Sequence, residues 1–342
     1  MRSITVLSGG VGGARFLRGL LHGIRTGVLP GVSPDARVTV IGNTGDDLWL
    51  HGLKICPDLD TVMYTLGDGI DGERGWGRRD ETWHVNEELT AYGLDNTWFG
   101  LGDRDVATHL VRTQMLEAGY PLSAVTEALT RRWLFPTYAD RLALLPMTDD
   151  RTETHVVIAD PDLERSPSGR RVIHFQEYWI KLRASVPVES LVFVGLDEAK
   201  PAPGVLDAIA EADLVILPPS NPIVSVGTIL SVAGVRENLI ATKAKVVGLS
   251  PIIGGHHVHG MAEQMLTAQG IEVSAAGVGL HYGARGHGGV LDGWLMDSSD
   301  TDSVERVTAG GLRAAAVPLL MSDPDATAAM AAAAISLVSE DA

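Results

Sequence analysis

A single cysteine among 342 residues leaves no partner for an internal disulfide, and such usage suits a reducing cytoplasm. Cys56 reads as a packed core thiol. No apolar run approaches the ~20 residues that a membrane span requires. The chain enters a strand-like run at once, without the basic, apolar and cleavage regions of a secretory leader. A cytoplasmic protein with no membrane partner is expected. Basic residues are also scarce: 27 Lys and Arg against 43 Asp and Glu give a net charge of −16. That balance argues against a nucleic-acid surface, which needs a basic face. It still allows a small anionic ligand held by a few local cations or a metal. No Gly-x-Ser-x-Gly elbow or Cys–His signature of a hydrolase is present. Neither a Pro/Gly/Ser linker nor a repeat period divides the chain.

What is present is an ordinary globular composition, 45% hydrophobic and 20% charged, in a chain long enough for a substantial core. Strand-like runs recur at residues 4–7, 38–41, 155–158, 172–174, 191–194, 214–217, 246–249 and 315–320. Several are continuously apolar, as strands covered on both faces are. Helical patterns at 14–24, 204–212, 228–241, 261–269 and 325–338 separate many of them. The alternation predicts an α/β fold: a doubly wound, mostly parallel, Rossmann-like sheet with ligands at the carboxyl ends of its strands. Residues 60–135 carry four helical patterns and few strand signals. The expected organisation is therefore one α/β unit, with a core of 1–59 and 150–342 and a helical insertion over about 60–149.

Residues 4–20 read ITVLSGGVGGARFLRGL. A β-branched run, four glycines in five positions and a helical pattern together make a phosphate-sized anion site, because free N–H groups and the helix dipole converge there. Gly9, Gly10, Gly12 and Gly13 permit positive φ and close approach of another group. The P-loop is excluded, since Ala14-Arg15 stands where Lys would follow. The dinucleotide fingerprint is met at Gly10 and Gly12 but broken by Arg15. A tight βα turn without a ligand is the plainer alternative.

Residues 40–47, VIGNTGDD, follow a strand. Adjacent carboxylates at a strand's carboxyl end are costly to crowd without a cation. Mg²⁺ accepts one or two carboxylates, with water and substrate phosphates completing its octahedron. A second acidic cluster, Cys56-Pro57-Asp58-Leu59-Asp60, opens a helix soon after. Asp58 there is either a ligand or a helix-capping acid. Pro218-Pro219-Ser220-Asn221-Pro222, behind another apolar strand, offers a hydroxyl and an amide on a stiff loop as a second wall of a nucleotide pocket. Residues 74–84, RGWGRRDETWH, mix arginines with indoles that can hold anions and stack on a flat ring. Gly102-Asp103-Arg104-Asp105 reads as a helix cap. His256-His257-Val258-His259 lacks the further ligands of a zinc site.

These motifs, with CPDLDTVMYTLG, WFGLGDRD, ILPPSNPIVSVGTIL, SPIIGG and LLMSDPDATA in order over nearly the whole chain, resemble the 2-phospho-L-lactate transferase family of deazaflavin coenzyme F(420) biosynthesis. The resemblance is greatest to its actinobacterial members, the phosphoenolpyruvate transferases. It implies an Mg²⁺-dependent phosphotransferase that moves an enolpyruvyl-phosphate or 2-phospholactyl group from a guanosine diphosphate-linked donor to the deazaflavin precursor Fo, releasing GMP. On this reading Gly9, Gly10, Gly12, Gly13, Asn43, Ser220 and Asn221 meet the nucleotide, and Asp46 and Asp58 hold Mg²⁺. Asp46 and Asp47 serve the reaction. Asp47 is oriented to the acceptor hydroxyl, with Trp83 and His84 nearby. A homodimer is expected. The rival reading is a UDP-sugar-binding regulatory protein of a related family.

Overall fold

The computed structural model describes residues 1–160, 166, 168–258 and 260–339. Seven strands form the central sheet: β1 (Ser3–Ser8), β2 (Arg37–Gly42), β3 (Leu142–Pro146), β4 (Leu214–Leu217), β5 (Lys245–Leu249), β6 (Gly293–Asp297) and β7 (Arg313–Val317). All neighbours pair in parallel, in the order β3-β2-β1-β4-β5-β6-β7. That is the doubly wound arrangement, with its switch point between β1 and β4.

The apolar strands split their side chains between two cores. Ile4 and Val6 of β1, with Leu214 and Ile216 of β4, pack on the face that buries Phe16, Leu17 and Leu20 of α1 (Val11–Thr26). Leu7, Val215 and Leu217 enter the opposite core, with Ile229 and Leu239. The period-two alternation of a strand thus serves two helical layers. On the first face α1 packs against the closing helix Pro324–Ser339: a Cβ at Gly19 would lie 2.3 Å from Thr327 Cβ.

Between β2 and β3 lie the hairpin Leu48–Leu50/Leu53–Ile55 and four helices: α2 (Pro57–Leu66), α3 (His84–Ala91), α4 (Asp103–Glu117) and α5 (Leu122–Tyr138). The chain rejoins the sheet at Leu142, inside the stretch expected to be insertion through residue 149. A short run ending in Pro146 gave a weak strand signal. The runs at 155–158, 172–174 and 191–194, expected as members of the parallel sheet, instead form a separate antiparallel one: Glu153–Ala159 between Arg170–His174 and Val188–Val194. Thr154, Val156 and Ile158 are buried while their neighbours are partly exposed, the pattern of a sheet with one covered face. The pattern at 228–241 is broken into two helices by Gly234 at φ 81°. Among the described residues, no helix is long and apolar enough to cross a membrane.

Candidate functional site

A cleft of about 790 Å³ opens at the carboxyl ends of the strands. Loops after β1, β2, β4, β5 and β7 supply one wall, including Gly10, Gly12, Asp46, Ser220, Asn221, Ser250 and Leu319. The insertion supplies another, with Asp58, Asp60, Tyr64, Trp76, Trp83, Trp98, Phe99, Asp105 and His109. Phe175 and Trp179 enter from beside the antiparallel sheet, Trp179 on a π-helical turn, Glu177–Lys181. Such turns are rare and recur at functional sites.

The glycine turn does two things. Gly10 ends it and α1 begins at Val11, with no side-chain cap, so the first N–H groups of the helix are free for an anion. The glycines themselves make room for protein. A Cβ at Gly9 would lie 2.4 Å from Ser225 Cβ, at Gly10 2.6 Å from Asp58 Oδ1, and at Gly12 2.3 Å from the Pro219 carbonyl. At Gly13 it would meet Ser8 Oγ at 2.1 Å. None of the four has positive φ, contrary to expectation. The turn is glycine-rich because α1, α2 and the loop after β4 close on it. Ser220 belongs to that contact, its Oγ accepting from Gly9 N at 3.3 Å. Asn221 Oδ1 accepts from Ile223 N and Val224 N at 3.0 and 3.2 Å, which fixes the turn after β4.

Asp46 and Asp58 come together as expected. Burial, then the charges of Asp58 and Asp47, push the Asp46 carboxyl well above the ordinary range, and Asn43 offsets this only in part. Burial likewise pushes Asp58 up to about 7, against the amide of Asn43 and the N–H of Gly10. Asp46 Oδ1 is buried without a hydrogen-bond partner. Two crowded carboxylates, one with an orphaned oxygen, facing a cleft beside a helix N-terminus, fit a hard divalent cation that completes its shell with water and phosphate. Among the described residues no group of three His, Cys, Asp or Glu side chains is arranged to hold a metal ion, so the protein supplies only part of such a shell.

Other expected site residues lie elsewhere. Asn43 is fully buried and does not line the cleft; its amide nitrogen donates to Asp58 Oδ2 at 2.9 Å and to the Val224 carbonyl at 3.2 Å. It orients a carboxylate rather than touching a nucleotide. Gly9 and Gly13 sit behind the cleft wall. Asp47 is 1% exposed, outside the lining, and ion-paired through Oδ2 with Lys54 Nζ at 3.1 Å, so its carboxylate is engaged within the protein. His84 also misses the cleft, with its side chain 78% exposed and 3.7 Å from Glu87. Its place on the first turn of an exposed helix aims it at solvent. Trp83, one residue earlier, does line the cleft.

The arginines of residues 74–79 are committed. Arg74 donates to Asp71 Oδ2 at 2.7 Å and lies 5.2 and 5.0 Å from the Trp76 and Trp83 rings. Arg78 stacks on Trp133 at 4.9 Å and Arg79 pairs with Asp68 at 2.8 Å. They hold the aromatic segment in place, and Arg74 also lines the cleft. Cys56 is buried, and burial pushes its thiol well up, as a core thiol requires. His256 and His257 share Glu263 at 3.4 and 2.9 Å, while His259 lies outside the described residues.

Sequence reading missed Tyr64, Trp98, Asp105, His109 and Trp179. Trp98 and Asp105 stand in the WFGLGDRD segment, where an aromatic pair beside alternating acids was a usable signal. Tyr64 and His109 stand in helical patterns that look like packing, and Trp179 stands outside every pattern read from the sequence.

The order of strands and the cleft at their switch point define a doubly wound α/β protein whose ligand site is half core and half insertion. Within that class the chain belongs to the 2-phospho-L-lactate transferase CofD family, whose model matches residues 4–335. It is similar to the phosphoenolpyruvate transferases of Streptomyces avermitilis, 60% identical, and of Streptomyces coelicolor and Thermobifida fusca, each 58% identical; every match covers 98% of both chains. The fold is similar to that of a Bacillus halodurans protein of the upf0052 family, with a TM-score of 0.56, 15% identity, and 96% of this chain and 98% of the other covered. The protein is therefore a transferase of this family. Nothing in the comparisons supports the UDP-sugar-binding alternative.

Proposed function

We propose that the protein transfers an enolpyruvyl-phosphate group from a guanosine diphosphate-linked donor to the terminal ribityl hydroxyl of Fo, releasing GMP, within coenzyme F(420) biosynthesis in the cytoplasm. The similarity to phosphoenolpyruvate transferases favours the enolpyruvyl over the lactyl donor. The observation that carries the reading is the make-up of the cleft, which joins a free helix N-terminus and two crowded carboxylates to a lining that includes four indoles.

The free N–H groups at the start of α1 bind the diphosphate, and Ser220 and Asn221 close over the nucleotide side. Asp46 and Asp58 hold Mg²⁺, with Asn43 aiming Asp58. The cation, when bound, neutralises charge on the transferring phosphoryl group. Trp83 stacks on the flat acceptor ring. Phosphoryl transfer asks mainly for in-line positioning and charge neutralisation. The chain's own task is to bring the acceptor hydroxyl opposite the leaving GMP and to exclude water from the aromatic lining. Incubation with Fo and the enolpyruvyl donor should release GMP and form a phosphodiester of Fo, followed by chromatography. Absence of GMP release with both substrates bound would overturn the reading.

A further inference from the structure

The insertion wall contains a buried polar network that the reaction as described does not use. Arg112, 2% exposed, grips Asp60 with both terminal nitrogens, one contact being Nη1 to Oδ2 at 3.1 Å. The same Nη1 lies 3.0 Å from His109 Nδ1. A guanidinium only donates, so Nδ1 must present its lone pair and the ring proton sits on Nε2. His109 Nε2 is 3.3 Å from Asp105 Oδ2, and Tyr64 Oη donates to Asp105 Oδ1 at 2.7 Å. Arg112 is bound to Asp60, so the direct contacts of Asp105 come from the His109 ring and the Tyr64 hydroxyl. Burial alone would raise its carboxyl; the His109 ring, the Tyr64 hydroxyl and the nearby Arg112 charge together outweigh burial and hold it below the ordinary range.

An ionised carboxylate that lines a cleft for anionic substrates has to meet neutral donors. Asp105 Oδ1 has one protein donor in Tyr64 and Oδ2 has the His109 ring beside it, and both oxygens keep further acceptor capacity. Neighbouring hydroxyls of a polyol match two such oxygens. The imide edge of a deazaflavin ring does not, because carbonyls flank its single N–H.

Asp105 is also built as one piece with Trp83. Glu81 accepts from Arg104 N and Asp105 N, both at 2.9 Å. Asp103 accepts from the Thr82 hydroxyl at 2.6 Å and from the N–H groups of His84 and Val85 at 3.2 and 2.9 Å. Trp83 and Asp105 are therefore held in a fixed relation on one wall of the same cleft. Along α2, Tyr64 stands six residues beyond Asp58, about 9 Å at helical rise. The reacting end of a chain and the part gripped at Asp105 are thus different points.

We propose that Asp105, positioned by Tyr64 and by His109 through Arg112, clamps the inner hydroxyls of the acceptor's polyol chain. The assignment rests on the transferase reading above. It is tested by fluorescence titration with Fo and with an N10-methyl deazaflavin that lacks the polyol, alongside calorimetry with GDP. The wild type should prefer Fo by about tenfold or more, the worth of charge-assisted hydrogen bonds. Asp105→Asn should lose that preference, binding Fo no better than the N10-methyl ring, with GDP unchanged. Tyr64→Phe removes one of the two donors and should lose part of the preference, which keeps the test alive if Asp105→Asn does not fold. An unchanged preference in the variants, or a loss of GDP instead of Fo, overturns the assignment alone. A wild type that binds no Fo overturns the transferase reading and the assignment with it.

Discussion

At the scale of single residues, the acid pair sets the sharpest expectations. Burial raises both carboxyls first; the charges of Asp58 and Asp47 then add to Asp46, and that of Asp47 to Asp58. Asp46→Asn and Asp58→Asn should lose most of the transferase turnover at limiting Mg²⁺. Their melting temperatures should hold or rise, since the amide removes the crowding; calorimetry beside the GMP-release assay reads both. Normal turnover in both variants would remove the metal assignment. Gly12 makes the opposite case. A methyl there points at the Pro219 carbonyl, a backbone atom that cannot swing aside. Overpacking of this kind costs about 1–3 kcal/mol. Gly12→Ala should melt a few degrees lower and bind GDP more weakly, with Fo affected less. An unchanged melt would mean that the loop after β4 yields freely.

Elements decide which residues reach the cleft. Trp83 caps α3 beside a segment stitched to α4. Trp83→Ala should therefore weaken Fo by about tenfold, stacking and area combined, and leave GDP nearly unchanged in a fluorescence titration. Unchanged Fo with weaker GDP would reverse the placement of the two substrates. The glycine turn, the double acid and the loop after β4 were legible in the sequence because each is a local pattern at a strand's end. Two members of the central sheet were not: LALLP of β3 ends in proline, and GWLMD of β6 has three apolar residues between Gly and Asp. Strand composition also does not say which sheet a strand joins, so Glu153–Ala159 and its partners were assigned to the wrong one. At the site, adjacency misled. His84 neighbours Trp83 in sequence but leaves from the other side of the backbone, while Asp105 and His109 reach the cleft from a helix that reads as a capped surface element.

For the whole molecule, the raised carboxyls couple stability to pH. Asp58 moves from 3.8 unfolded to about 7 folded, and Asp46 moves in the same direction. Between those values the folded state holds more protons than the unfolded one, so stability falls as pH rises. Protein kept in a chelator should melt lower at pH 8 than at pH 5, the loss accruing from about pH 4 to pH 7 and beyond. Mg²⁺ should restore more stability at pH 8 than at pH 5, because at pH 5 protons already neutralise the site. Equal melts at the two pH values in chelator would show that the acids are solvated.

The antiparallel sheet is tied to the acid turn through its backbone. Thr154 N donates to the Gly45 carbonyl at 2.6 Å, and His174 Nε2 donates to the Asp47 carbonyl at 3.2 Å. Gln176 N donates to His174 Nδ1 at 3.1 Å, which fixes the proton on Nε2. Whatever stiffens the turn also stiffens a sheet that carries none of its carboxylates. The amide of Thr154 then acts as a remote gauge of occupancy: its deuterium uptake should slow when Mg²⁺ and GDP load the cleft, and Fo alone should leave it unchanged.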